Sequence, residues 1–325
     1  MSSWLYEAGI GEARAALIDG DRIIKARIEP DGRLRVGAVA DAVLAEAGRH
    51  PRVRLADGAE AMLNTLPAGL SVGRTLRIEI IREGLSEGTR IKLPRAIPAA
   101  ADRAIAPGPG LLDRITASSI PVRHLRAHEP DALEAAGWSE VLEEAATGDI
   151  TFPGGVLRMA MTPAMTLFDV DGDGAADALA RAAATAVAQA ILRHGIGGNI
   201  GVDFPTMSDK GARQAVAMAI DAALPLPFER TAVNGFGFLQ IIRPRPRAAL
   251  PEIIAADPVA ARARAALRLL ERDPPPGPAT RPLPAAIARY LRDVRPDWIA
   301  ELYRRTGNSA PIADIGGLKD DPHAA

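Results

Sequence analysis

The chain has no cysteine among its 325 residues. That excludes disulfides and thiolate-held metals, although it does not fix a compartment. Aromatic residues are scarce, three Trp, three Tyr and six Phe, so the core has to be built from Ala, Leu, Ile and Val. An excess of charge is missing too: 39 basic side chains face 40 acidic ones, for a net charge of −1. The whole molecule therefore exerts no strong pull on a polyanion, and any such site must be a local basic patch. No apolar run approaches the roughly 18 residues needed to cross a bilayer. The opening Met-Ser-Ser-Trp-Leu-Tyr-Glu lacks a basic region followed by an apolar one, so no signal peptide is expected. The expectation is a cytoplasmic protein with no membrane partner.

What is present divides the chain into a β-rich beginning, a mixed middle and a helical end. Arg14–Ile18, Arg22–Ile28 and Leu34–Val39 read as strands, separated by Asp19-Gly20 and Asp31-Gly32 turns. Arg52–Leu55, Leu76–Ile81 and Thr89–Leu93 read as further strands, and Asp41–Ala47 as a short helix. Short strands of this kind suggest a small barrel over residues 1–95. The Pro-, Ala- and Gly-rich stretch from Pro94 to Gly110 reads as a linker, with its core at 96–110. Over 111–250, helical segments (Asp131–Ala136, Ser139–Ala146, Ala176–His194, Asp209–Ala223) alternate with strand-like runs (Gly155–Met161, Met165–Val170, Asn199–Phe204, Gly237–Ile242). That alternation implies an α/β, or α+β, mixed sheet. Residues 251–325 read as helical: Pro258–Arg272, a Pro-rich linker from Asp273, then two helices split near Arg295-Pro296. The last dozen residues read as loosely ordered.

The segment Leu167-Phe-Asp-Val-Asp-Gly-Asp-Gly174 carries three aspartates at the end of a strand. Side chains on a strand alternate with period two, so Asp169 and Asp171 share a face. Carboxylates that close together repel unless a cation lies between them, and hard oxygen ligands suit Mg²⁺, Mn²⁺ or Ca²⁺. Asp203, in Gly201-Val-Asp-Phe, ends a second apolar run. Two acidic strand ends side by side would form a metal site at the sheet edge, of the kind that serves phosphodiester hydrolysis. The same residues also fit a solvated Asp-Gly turn. A third reading is a calcium loop, because Asp169-x-Asp171-x-Asp173-Gly174 matches the first half of an EF-hand loop, but Ala180 stands where the bidentate Glu belongs. Met159, Met161, Met165, Phe236 and Phe238 read as core, although a strand of an RNA-binding sheet could expose one of the two Phe. His194 reads as a structural residue complementing a helix C-terminus, and His124 and His128 carry no expected chemistry.

Three blocks in fixed order resemble the ribonuclease E/G family. The first is Pro153-Gly-Gly-Val-Leu-Arg-Met-Ala-Met-Thr-Pro-Ala-Met-Thr-Leu-Phe-Asp-Val-Asp-Gly172, similar to that family's Pro-x-Gly-Gly strand, turn and Ile-Asp-Val-Asn-Ser-Gly. The second, Gly197-Gly-Asn-Ile-Gly-Val-Asp-Phe-Pro-Thr-Met207, resembles Gly-Gly-x-Ile-x-Ile-Asp-Phe-Ile-Asp-Met. The third, Gly235-Phe-Gly-Phe-Leu-Gln-Ile-Ile-Arg-Pro-Arg245, is similar to Gly-x-x-Glu-x-x-Arg-x-Arg. Weaker likeness extends to Glu12–Gly20 and Val72–Ile81.

The resemblance implies an OB-type RNA-binding barrel followed by a ribonuclease H-like catalytic domain. It implies cleavage of single-stranded RNA that depends on Mg²⁺ (or Mn²⁺) and leaves a 5′-phosphate and a 3′-hydroxyl. Asp169 and Asp203 match the family's metal-ligating aspartates, and Asp171 falls where the family has Asn. Arg243 and Arg245 follow the third block and are the candidate contacts to the RNA backbone, and they equally fit an exposed strand end next to prolines. Thr206 replaces the family's second Asp in the second block, and no Arg-Thr pair for a 5′-monophosphate is found between Pro94 and Val122. A homo-oligomer, if formed, has no Cys-x-x-Cys zinc link. The alternative is a catalytically degenerate RNA-binding protein of the same kind.

Overall fold

A computed structural model describes residues 2–87, 90–274, 281–308 and 312–314. β1 (Ser3–Ala8), β2 (Glu12–Asp19) and β3 (Arg22–Pro30) form an antiparallel meander. The expectation grouped these strands with the barrel. They instead belong to a separate four-stranded sheet, completed by a strand from beyond the barrel.

The barrel itself spans residues 39–98. β4 (Val39–Glu46), β5 (Arg52–Leu55), β6 (Glu60–Leu63) and β7 (Thr75–Arg82) are followed by a hairpin of β8 (Leu85–Glu87) and β9 (Arg90–Lys92). β10 (Arg95–Pro98) then closes the five-stranded barrel by pairing with β6 and β7. Two expectations are corrected here. The segment read as a helix at 41–47 lies mostly within β4. Its Ala and Leu residues favour a helix in isolation, but Ala42 and Leu44 alternate inward against Val53, Ile78 and Ile80, so tertiary packing overrides propensity. The supposed linker begins with β10, because Ala96 and Ile97 complete the ladder that Met62, Leu63 and Ile80 leave open. Thr89, read as the start of a strand, lies outside the described residues.

After the barrel come α1 (Leu111–Thr116) and β11 (Val122–His124), the strand that pairs in parallel with β1. α2 (Ala132–Ala135) and α3 (Trp138–Thr147) lead into β12 (Asp149–Phe152), β13 (Gly155–Met161) and β14 (Thr166–Gly172). α4 (Ala176–His194), β15 (Gly198–Asp203), α5 (Lys210–Ala223), β16 (Glu229–Arg230) and β17 (Phe238–Arg243) follow. Their strands form one six-stranded mixed sheet in the order β12-β13-β14-β15-β17-β16. One face packs on α4 and α5 through Phe168, Val170, Ile200, Val202, Leu239 and Ile241. Ala180, Ala183 and Ala184 let α4 approach that face closely. The other face is open to solvent, with Arg158, Asp169, Asp203 and Ile242 exposed.

α6 (Leu250–Ala256) and α7 (Pro258–Arg272) fold back onto the first sheet. β18 (Arg281–Leu283), α8 (Ala285–Asp293), α9 (Pro296–Thr306) and β19 (Ile312–Asp314) end the described chain. The break between α8 and α9 falls at Pro296, as expected from its missing N–H. Most of the Pro-rich linker after Asp273 and nearly all of the last dozen residues lie outside the described residues.

α7 is fastened to β1 and β2 by buried charge. Glu7 receives Arg14 at 2.6 Å, Arg268 at 2.9 Å and Arg272 at 2.9 Å. Glu12 receives Arg14 and Arg264, each at 2.6 Å. Groups this deep stay ionised only because each is met by an opposite charge. No described helix is long and apolar enough to cross a membrane.

Candidate metal centre and its surroundings

The parallel pairing of β14 with β15 sets Asp169 directly beside Asp203. The row continues on both sides, with Arg158 of β13 opposite Asp169 and Phe238 of β17 opposite Asp203. Register partners project from the same face, about 4.8 Å apart from strand to strand. The open face of the sheet thus carries one line of a cation, two carboxylates and an aromatic ring. Local sequence explains the alignment. Phe168 and Val202 are register partners that point into the core, which turns the residue after each of them outward.

Neither Asp169 nor Asp203 makes an ion pair or a side-chain hydrogen bond among the described residues. Asp171, two residues on, is engaged differently: Arg158 Nε lies 2.7 Å from its Oδ2, a diagonal contact across the β13–β14 pair. Among the described residues no group of three or more His, Asp or Glu is arranged to hold a metal ion. Two adjacent carboxylates, both solvent-accessible, nevertheless fit Mg²⁺, which commonly takes one or two protein carboxylates and keeps several waters.

The surroundings of the pair are shaped by two glycines. A Cβ at Gly201 would lie 2.8 Å from both Met165 Sδ and Phe238 Cζ, and 3.1 Å from Leu167 Cδ1. Only glycine lets that apolar patch close beneath the carboxylates. Gly237, at φ +95°, sits with its missing Cβ 2.2 Å from the Phe204 carbonyl oxygen. Asn234 Oδ1 accepts hydrogen bonds from the amides of Phe236 (2.9 Å) and Phe238 (3.0 Å). This tight loop turns Phe236 out into solvent, 85% exposed and next in space to the Asp203 end of β15. The expectation of a core residue is therefore wrong for Phe236, because an Asn side chain replaces the strand ladder at 234–238. It is also wrong for Met161, which ends β13 in solvent, whereas Met159 is buried.

Arg243 and Arg245 lie elsewhere. Gly198 pairs with Arg243 while Asp203 pairs with Phe238, so five residues of strand, about 17 Å, separate Arg243 from the carboxylate row. Arg245 is ion-paired to Glu252. His194 is buried with Nε2 3.1 Å from Glu144, which also binds Arg193 at 2.6 Å. Burial holds the imidazole below its ordinary value of 6.5, although Glu144 pulls the other way. Glu144 itself feels burial pushing it up, but bonds from His194 and Arg193 leave its carboxyl below 4.5.

Sequence reading missed Arg158, and it placed Phe236 in the core with exposure only as the alternative. Nothing in the chain order signals that Arg158 faces Asp169. The Asn234-Gly235 pair was the available sign of a turn ahead of Phe236. A scan against protein-family models finds no match for this chain, and none of the curated proteins matches it.

Proposed function

We propose that this chain is a divalent-cation-dependent endoribonuclease acting on single-stranded RNA, with the barrel as an OB-type module and the six-stranded sheet with α4 and α5 as a ribonuclease H-like domain. The observation that carries this reading is the lateral register of Asp169 and Asp203, two carboxylates without counter-charge on one open face. Asp169 and Asp203 would hold Mg²⁺ or Mn²⁺, which supplies polarisation of an attacking water and neutralisation of phosphate charge when bound. Asp171 serves from the margin, restrained by Arg158. Phe236 offers a ring on which a base flanking the scissile bond can stack. Arg243 and Arg245 would contact backbone phosphates remote from the cleavage point. The products expected are a 5′-phosphate and a 3′-hydroxyl.

The test is cleavage of a fluorescent single-stranded RNA with and without Mg²⁺. Asp169→Asn and Asp203→Asn should each lower the rate by about a hundredfold or more, given that even outer-shell losses cost 10–100-fold. A wild-type rate in either variant would end the nuclease reading. A second reading, a binding protein that does not cut, is favoured by one interaction, the Arg158–Asp171 pair that occupies the third carboxylate. RNA binding without cleavage at any Mg²⁺ or Mn²⁺ concentration is its outcome.

A further inference from the structure

At the far end of the six-stranded sheet, the C-terminus of α4, strand β3, α1, the segment after β17 and Glu83 just after β7 meet in a cleft of about 170 Å³. Its walls hold Arg27, Arg33, Arg114, Arg245 and Arg247 with two carboxylates, Glu29 and Glu83, while Arg245 is paired with Glu252 outside the lining. Both carboxylates are already committed. Glu29 binds Arg35 at 3.0 Å and Arg114 at 2.6 Å, and Glu83 binds Arg247 at 3.2 Å. Arg27 finds no carboxylate. Its guanidinium donates to the carbonyls of Ala26, Leu192 and Arg193, the last two at the end of α4. Arg33 makes no hydrogen bond or ion pair among the described residues and is only half exposed. Lys25 and Arg243 lie close enough to add to the positive field.

This crowding of cations is built into the chain. In Arg243-Pro-Arg-Pro-Arg247 the prolines are exposed and the arginines half-buried, so the alternation turns the guanidiniums inward. A Cβ at Gly197 would come within 2.5 Å of the Pro244 carbonyl oxygen, so glycine is needed for the run to lie against the sheet. The amide of Glu83 bonds the Pro246 carbonyl at 2.9 Å, which ties the turn between β7 and β8 to the same run. Gly195, at φ +69°, leaves the end of α4 open for Arg27. Burial, with Arg114 and Arg243 adding repulsion, brings Arg27 down to about 10. Half-buried guanidiniums without counter-ions are costly, and an incoming anion relieves that cost. A pocket of this volume admits a group the size of a few waters.

We propose that this cleft binds a phosphate group, through Arg33 and Arg247 at its mouth with Arg27 and Arg114 behind them. The group is either a backbone phosphate of a single-stranded nucleic acid or free inorganic phosphate. The site is separate from the carboxylate row and does not depend on the nuclease reading.

The test uses the full chain in EDTA. Inorganic phosphate is titrated by calorimetry, and a short 5′-hydroxyl single-stranded RNA by fluorescence anisotropy over a range of salt. Arg33→Gln/Arg247→Gln should weaken the ligand that binds by roughly tenfold or more, since charge-assisted hydrogen bonds are removed. For RNA it should also flatten the salt dependence by about 0.7 for each backbone phosphate that is no longer neutralised. Arg33→Gln alone, at a residue that makes no hydrogen bond or ion pair among the described residues, guards against misfolding and should show part of the effect. Arg52→Gln, the same charge change at an exposed barrel arginine paired with Glu46, should leave binding unchanged. Loss of phosphate binding in the cleft variants, with no RNA binding by any protein, supports a site for free phosphate; the ribonuclease reading, which needs a divalent cation, is decided separately by the cleavage assay. Unchanged affinity of both ligands in the cleft variants, or equal weakening by Arg52→Gln, overturns the proposal.

Discussion

Asp169 and Asp203 are register partners on adjacent parallel strands, and no positive side chain stands between them. Both side chains reach solvent, where screening keeps their mutual repulsion modest, and a divalent cation between them would offset it. Arg158, the register partner of Asp169, spends its charge on Asp171 instead.

Removing that competition should strengthen the site. Arg158→Gln frees Asp171 and takes one positive charge from the face. Affinity for Mn²⁺, followed by calorimetry, should rise severalfold on the Coulomb scale for a charge change at this distance. A fall in affinity would mean that Arg158 organises the carboxylates rather than opposing the ion.

Phe236 is held outward by an Asn234-centred turn and buries almost nothing. Phe236→Ala should therefore leave the unfolding midpoint unchanged. It should weaken single-stranded RNA binding by about 1–3 kcal/mol, the worth of one base stacked on an aromatic ring. Equal affinity in the variant would show that the ring takes no part in binding.

Glu7 is the hub of the ion cluster between β1, β2 and α7, with three arginines around one carboxylate. Glu7→Gln leaves Arg14 to Glu12 alone, and Arg268 and Arg272 to Asp131 alone. The expected loss is about 1–3 kcal/mol in denaturant unfolding, below the cost of a fully orphaned buried charge. A loss under about 1 kcal/mol, the usual value of an exposed pair, would show that water reaches the cluster.

The buried His194 makes stability depend on pH. Its folded-state value lies below 6.5 because burial disfavours the imidazolium. Between that depressed value and 6.5 the unfolded chain binds a proton that the native state does not. Stability is therefore full above 6.5 and falls as the pH drops through this window, by up to about 1.4 kcal/mol per pH unit. Glu144, with its carboxyl held below 4.5, adds a second loss at lower pH. His194→Gln should flatten the first part of the curve and shrink the second, because the His194 bond helps hold the Glu144 carboxyl down, and urea titrations at stepped pH would measure both.

The helices of the middle region were legible because their signals are local. Asp209 caps α5 through the Ala212 amide at 2.8 Å, Gly195 ends α4 in a left-handed turn, and Pro296 starts α9. The strands β13, β14, β15 and β17 were equally plain from apolar runs bounded by Gly and Pro. Misreadings arose where a distant partner decided the outcome. Residues 41–47 have a helical composition but meet β5 and β7. Pro-rich residues 95–98 resemble a linker but close the barrel. Strands β1–β3 stand next to the barrel in sequence yet pair with β11, more than a hundred residues from β1.

By itself, then, the sequence determined that Asp169 and Asp203 each end an apolar strand with a carboxylate turned away from the core, because period-two alternation is a property of the local chain. It equally fixed the absence of thiol chemistry and the need for an Ala- and Leu-built interior. Only the tertiary structure decided that those two strands lie side by side in register, that Arg158 takes Asp171, that Phe236 points into solvent, and that arginines from β3, α1 and the segment after β17 converge on one cleft. Strand order, register and the meeting of remote segments are set by which surfaces bury each other, and no stretch of chain contains that information alone.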